Sequence, residues 1–234
     1  MSRWLLPFER RVVWARRRRA IALALVGYLV VRVFDGVIYR ALDVGYNKLE
    51  PDVARQRIAS KDWYEFLRAA GYWPTWGVLA LAIGLARMTP AGADAGMERA
   101  HAASRLTAVR LALAPAVAGL LAEAMKVLIG RQRPINNGVA EGAHVFKGLL
   151  ERFTDPRNLG LPSSHVACAF GAAAAVWMLW GRAGWPVVLV AAGCGVTRML
   201  TGAHFATDVY AGALVGIVGA MIVCPRKQPG LLLP

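Results

Sequence analysis

The chain has 234 residues, with 28 Lys and Arg against 14 Asp and Glu, a net charge of +14, and it is 57% hydrophobic. This combination excludes a disordered basic tail, which needs low hydrophobicity. It also excludes a soluble nucleic-acid-binding domain, which would not carry apolar runs of roughly 20 residues. The length fits about six membrane spans with their loops. Cys168, Cys194 and Cys224 lie inside apolar runs without C-x-x-C spacing, so they read as small core residues rather than a disulfide framework or a zinc site.

Residues 1–19 form a basic N-terminus, with Arg3, Arg10, Arg11 and the arginine run 16–19. By the positive-inside rule this segment stays in the cytoplasm, with attraction to anionic lipid as a second effect. Six apolar runs follow, at 20–38, 72–89, 108–129, 163–181, 184–201 and 204–224. In lipid such runs must be helices, because backbone groups find no water there. The first run lacks a small-residue cleavage site and reads as a retained signal anchor. Six crossings return Arg226 and Lys227 to the cytoplasmic side. The expectation is a single all-α domain over 1–234, a six-helix transmembrane bundle in a cell membrane, the bacterial inner membrane if the source is prokaryotic.

The two long loops, 39–71 and 130–162, fall on the same outer side. In the first, Ser60 is a candidate N-cap, and Trp63, Phe66 and Leu67 share one helical face. In the second, Val145, Phe146, Leu149, Leu150 and Phe153 form a stripe opposite Lys147, Glu151 and Arg152. Both segments are expected to be short helices in the membrane interface. Trp4, Trp14, Trp63, Trp73, Trp76, Trp180 and Trp185 near the run ends suit an interfacial belt. Gly212, Gly216 and Gly219 suit close helix packing within the bundle.

Ionisable residues in apolar runs are costly and are paired or functional. Arg32 and Asp35 are spaced i,i+3 and read as a structural ion pair; Glu123 and Lys126 have the same spacing, with Glu123 orienting or neutralising Lys126. Further on come Arg133-Pro134, then Ser163-Ser164-His165 opening the fourth run, then Arg198 closing the fifth, and His204 and Asp208 opening the sixth. Counting crossings puts all of these at the outer membrane face. His101 and His144 lie outside this pattern and receive no role.

Lys126, Arg133 and Arg198 supply three cations, Ser163 and Ser164 supply hydroxyls, and the start of the fourth run supplies free N–H groups and a positive dipole end. Such a pocket suits a phosphate, which arginine can grip with two parallel bonds. His204 and Asp208 are spaced i,i+4, so the carboxylate can orient and activate the imidazole, and His165 is free to act as an acid. Asp208 is the only carboxylate in this set, whereas two-metal phosphoryl transfer needs several oxygen ligands. The cations are therefore expected to neutralise the transferring group themselves.

The blocks K-x6-R-P at 126–134, P-S-S-H at 162–165 and R-x5-H-x3-D at 198–208 resemble the signature of the type 2 phosphatidic acid phosphatase (PAP2) superfamily. That superfamily includes membrane lipid phosphatases, soluble bacterial acid phosphatases and vanadium haloperoxidases. The resemblance implies that His204 attacks phosphorus and carries it as phosphohistidine, that Asp208 holds the His204 ring, and that His165 protonates the leaving oxygen. It implies phosphate binding by Lys126, Arg133, Ser163 and Arg198, with Ser164 beside them, and no metal or other cofactor. Ser164 stands where the family usually has glycine, and Thr197 where serine is common. The implied function is removal of a terminal phosphate from a membrane lipid: undecaprenyl diphosphate, phosphatidylglycerol phosphate, phosphatidate or a lipid A phosphate. A phosphotransferase of the same superfamily and a non-catalytic lipid-binding or transport protein are the alternatives.

Overall fold

The computed structural model describes residues 7–86, 94–135 and 143–224. The expectations for Arg3, Trp4, Arg226 and Lys227 lie outside these residues. The described chain is helical, in the order α1 (Pro7–Leu42), α2 (Pro51–Ala59), α3 (Asp62–Ala69), α4 (Trp73–Ala86), α5 (Ala95–Ile129), α6 (Leu149–Thr154), α7 (Ser164–Trp180), α8 (Trp185–Leu200) and α9 (Ala206–Val223). A single 3-10 turn, Gly181–Gly184, joins α7 to α8. The only β pairing among the described residues is two isolated bridges, Arg131 with Phe146 and Gln132 with Leu159.

All six apolar runs fold as helices: α1, α4, α5, α7, α8 and α9 carry them in order. Of these, α1, α5 and α9 are each long and apolar enough to cross a membrane, and α3 with α4 makes a fourth candidate span bent by 71°. The other two, α7 and α8, are apolar but shorter, at 17 and 16 residues. These helices make the chain a multi-pass membrane protein.

At the centre, α7 packs against α5, α8 and α9. Its sequence explains that position: Val166, Ala167, Cys168, Ala169, Gly171, Ala172, Ala173 and Ala175 are all buried, and small side chains let three neighbours approach at once. The glycine stripe on α9 faces this helix, since a Cβ on Gly216 would meet the Ala167 carbonyl and the Gly171 nitrogen. Its close packing is therefore within the chain, as expected. The three cysteines are free and buried, also as expected.

Several local expectations are corrected. Ser60 does not cap α3: it follows α2, and its hydroxyl donates to the Arg57 carbonyl, while Lys61 holds the N-cap position. Helix α6 covers only Leu149–Thr154; Val145 and Phe146 precede it in extended chain. Lys147 does not lie on a solvent face but is buried, bonding the Asp155 carboxylate at 2.9 Å. Leu149, Leu150 and Phe153 do form an exposed apolar face. Trp76 is not part of an interfacial belt; it is buried and donates to the Ala70 carbonyl at 2.8 Å. Trp14, Trp63, Trp73, Trp180 and Trp185 are exposed.

The Arg32–Asp35 pair does not form. Arg32 is exposed, whereas Asp35 is fully buried and turns to α9, accepting the Thr207 N–H at 2.9 Å. An i,i+3 spacing detects partners on the same helix only, and here a partner on another helix competes better.

Candidate active site

Four helix ends assemble the site. Lys126 sits in the last turn of α5, which closes with the Gly130 N–H on the Lys126 carbonyl, so the chain turns at once into Arg131, Gln132 and Arg133. Ser163 and Ser164 open α7, with His165 in its first turn. Arg198 sits in the last turn of α8. The chain then reverses tightly: Gly202 has φ of +63°, a left-handed conformation that glycine adopts without strain. That turn brings the N–H groups of Ala203 and His204 back onto the Arg198 carbonyl, at 3.1 and 3.2 Å. Asp208 follows in the first turn of α9.

Lys126 Nζ donates to Glu123 Oε1 at 2.7 Å and to Ser164 Oγ at 2.8 Å. A cavity of about 560 Å³ lies beside it, lined by Glu123, Lys126, Arg133, Arg157, Ser164 and His165 among others. The titratable groups within electrostatic reach of His165 are Arg198, His204, Arg68 and Lys126; those of His204 are Asp208, Arg198 and Arg133. The predicted residues are thus brought together around two imidazoles. Ser163 Oγ, His165 Nε2 and Arg198 Nε are buried without a hydrogen-bond partner among the described residues. Orphaned buried donors and acceptors are costly, and their grouping at one place marks a site built for a polar ligand.

His204 is buried, and its Nδ1 lies 3.5 Å from Asp208 Oδ2, long for a hydrogen bond but of the kind that tightens when a ligand binds. Burial pushes the His204 imidazole down to about 4, against the opposing pull of Asp208. The ring is therefore neutral near pH 7, with Nδ1 turned to the carboxylate and Nε2 left as the free nitrogen.

A second cavity, about 290 Å³, adjoins the first and shares Glu123, Ser164 and His165 with it. Its remaining wall is mostly apolar: Gly71, Tyr72, Trp73, Ala116, Gly119, Leu120 and Cys168. Tyr72 meets the His165 ring edge-on at 5.0 Å, and the Arg68 guanidinium lies over Tyr72 at 5.3 Å.

Several residues at the site were not predicted. Arg68 comes from the first long loop, where only apolar faces were read, and Tyr72 opens the second apolar run, which was read as a span. Arg131 is buried and bonds Asp208 Oδ1 at 2.5 Å and Thr207 Oγ1 at 2.7 Å. It is one of the spacer positions of the K-x6-R-P block; its position directly before Gln132-Arg133 was the available signal. His144, given no role, packs on Phe205 with ring centroids 4.3 Å apart and places Nε2 3.2 Å from Asp35 Oδ2. Asp208 is also not the lone carboxylate: Glu123 lines the cavity and Asp35 lies behind Asp208, each beside a cation.

Chemically, His165, Lys126, Arg133 and Arg157 line one cavity, and the neutral, carboxylate-backed His204 lies with Arg198 near His165 without lining that cavity itself. The arrangement suits a tetrahedral anion better than a neutral ligand. The model of the PAP2 superfamily matches residues 107–228, just over half of the chain, and spans every predicted site residue. A curated relative, "Bacitracin transport permease protein BcrC" of Bacillus licheniformis, is 29% identical over 120 residues, which is 51% of this chain and 55% of that protein. The chain thus spans about half the length of that relative. No solved structure matches the chain. The matched stretch and the geometry within it agree: the chain belongs to the PAP2 superfamily.

Proposed function

We propose that the protein is a lipid phosphate phosphatase that removes a terminal phosphate through a phosphohistidine, without a metal, at the outer membrane face. One observation carries this reading: His204, with Asp208 3.5 Å from its Nδ1, lies within electrostatic reach of a second histidine, His165, which lines the cation-rich cavity. A binding pocket needs the cations but not two imidazoles of different setting.

His204 Nε2 attacks phosphorus as the bond to the lipid oxygen breaks, and His165, charged once the substrate phosphate offsets its cationic neighbours, gives its proton to that oxygen. Asp208 holds Nδ1–H and stabilises the charge on the ring. Water then attacks phosphorus, the P–N bond breaks, and the water proton returns to His165. Lys126, Arg133 and Arg198, with the Ser163 and Ser164 hydroxyls, hold the phosphoryl oxygens, where charge is greatest in the transition state. The apolar second cavity supports a lipid over a soluble ester, because it gives the chain of the substrate a place beside the phosphate.

The test is phosphate release from a panel of lipid phosphates and diphosphates by purified protein in the presence of a chelator. Release that disappears in His204→Ala, with the variant still inserted, is the expected result; turnover by that variant at the normal rate overturns the reading. The name of the Bacillus licheniformis relative describes transport and favours a second reading, in which the site binds without hydrolysis. Vanadate trapping together with phosphate release decides against it. Acceptor lipids added to the same assay separate transfer from hydrolysis.

A further inference from the structure

We infer that Arg131 is a positioning residue for the His204–Asp208 pair and is itself held by Asp35, so that α1 forms part of the catalytic apparatus. This rests on the phosphatase reading above.

Arg131, Thr207, Asp35 and Asp208 are all buried, Arg131 at 2% exposure and the other three at 0%. Arg131 Nη2 is taken by two protein groups, Asp208 Oδ1 and Thr207 Oγ1, so this end of the guanidinium is spent on the protein rather than on a ligand. Its Nη2 bonds Asp208 Oδ1 at 2.5 Å, while the other oxygen, Oδ2, accepts the Phe205 N–H at 2.9 Å and faces His204 Nδ1. The two oxygens of Asp208 are thereby divided: one is clamped from behind and one is aimed at the ring. A carboxylate held at one oxygen cannot rotate away from the imidazole it orients, and outer partners of this kind commonly fix a histidine's tautomer and direction.

Arg131 has its own support. The Thr207 hydroxyl accepts from Arg131 Nη2 and donates to Asp35 Oδ2, and Arg131 Nη1 lies 3.8 Å from the same Asp35 oxygen. The guanidinium also lies over the Phe205 ring at 5.1 Å. Asp35 meanwhile accepts the Thr207 N–H, so it holds the first turn of α9, the helix that carries Asp208. The charges alternate along the chain of contacts, Asp35, Arg131 and Asp208, which ends at the His204 ring. Asp35 lies outside the stretch matched by the family model, which begins at residue 107. A helix that the topology alone would make an anchor thus reaches into the site.

The experiment is steady-state kinetics of Arg131→Gln, Arg131→Lys, Asp35→Asn, Asp208→Asn and the Arg131→Gln/Asp208→Asn double variant, in detergent, on a lipid phosphate that the wild type hydrolyses. For Arg131→Gln we expect kcat to fall by about 10- to 100-fold, the usual loss for an outer orienting partner. KM and inhibition by inorganic phosphate stay near the wild-type values, and Arg131→Lys recovers part of kcat. The double variant is no slower than Asp208→Asn alone, because residues acting as a unit are not additive. Unchanged kcat in Arg131→Gln overturns the inference. So does a raised KM with kcat intact, which would make Arg131 a phosphate ligand, and so do losses that multiply in the double variant. If Arg131→Gln fails to fold, Asp35→Asn decides: lowered kcat at unchanged KM supports the inference and full kcat overturns it. A wild type inactive on every lipid phosphate strikes the phosphatase reading instead, and is recognised before any variant is compared.

Discussion

The backbone N–H of Ser163 donates to the carbonyl oxygen of Asp208 at 3.0 Å, so the start of α7 is bonded directly to the first turn of α9. The two histidine blocks are therefore held by main chain, not only by packing. Gly212 makes this possible: a Cβ there would lie 2.6 Å from the Ser163 carbonyl oxygen, which is backbone and cannot swing aside. Gly212→Ala should force α7 and α9 apart and destabilise the protein by about 1–3 kcal/mol, as overpacking does. Because the displaced element carries Ser163 and His165, kcat should fall as well. Thermal unfolding in detergent and phosphate release check the two effects; a variant with wild-type values of both would show that this contact is not tight.

The His204–Asp208 pair makes a pH prediction with a definite sign. Burial holds the His204 imidazole down at about 4, and the ring must be neutral to attack. The acid limb of kcat/KM assigned to His204 should therefore lie near pH 4, well below an ordinary histidine. Asp208 opposes burial by favouring the charged ring. Asp208→Asn should then move that limb lower still, while kcat falls by roughly 10³-fold or more because the ring loses its orienting carboxylate. An acid limb that moves upward in Asp208→Asn would refute this account of the pair.

The apolar runs were legible because lipid solvation demands length, and each of the six folds as a helix. The site blocks were legible because residues at helix ends keep their spacing when the helices pack. What could not be read is whatever crosses the bundle. Asp35 meets Thr207 and Arg131, both distant in sequence, so its spacing to Arg32 pointed to the wrong partner. Trp76 sits near a run end like its interfacial neighbours, and only the turn at Ala70 makes it a buried donor. In segment 145–154 the helical stripe misled because Val145 and Phe146 are taken up by extended chain pairing with the loop after α5.

Ser164 replaces the usual family glycine, and it has a specific use here. Its hydroxyl is one of two partners of Lys126 Nζ, the other being Glu123. Lys126 is buried, so losing a partner is felt at its charge. Ser164→Gly should weaken phosphate binding by about 1 kcal/mol, roughly fivefold in KM, with little change in kcat. Glu123→Gln, which removes the charged partner, should raise KM further. Measuring KM on one lipid phosphate for both variants checks the order; a Ser164→Gly enzyme with a lower KM would mean that the hydroxyl obstructs the pocket instead.

On the proposed phosphatase reading, the apolar cavity beside the cation-lined one predicts discrimination between a lipid and a soluble ester. Ala116 and Leu120 of α5 line it together with Tyr72, Trp73 and Cys168, and it shares His165 with the cation-lined cavity. A ligand whose phosphate sits by Lys126 and Arg133 therefore has apolar wall within reach of its leaving group. Burying a few methylenes there stabilises the complex by about 0.8 kcal/mol each. Ala116→Phe fills this space without touching Lys126, Arg133, His204 or Asp208. It should raise KM for a long-chain lipid phosphate by about tenfold or more, the loss of two buried methylenes. Hydrolysis of a small water-soluble phosphate ester should stay near the wild-type rate, since that substrate never occupied the groove. Parallel assays of the two substrates read the split directly, and an equal loss on both would show that the substitution had disturbed the phosphate site rather than a place for the lipid chain.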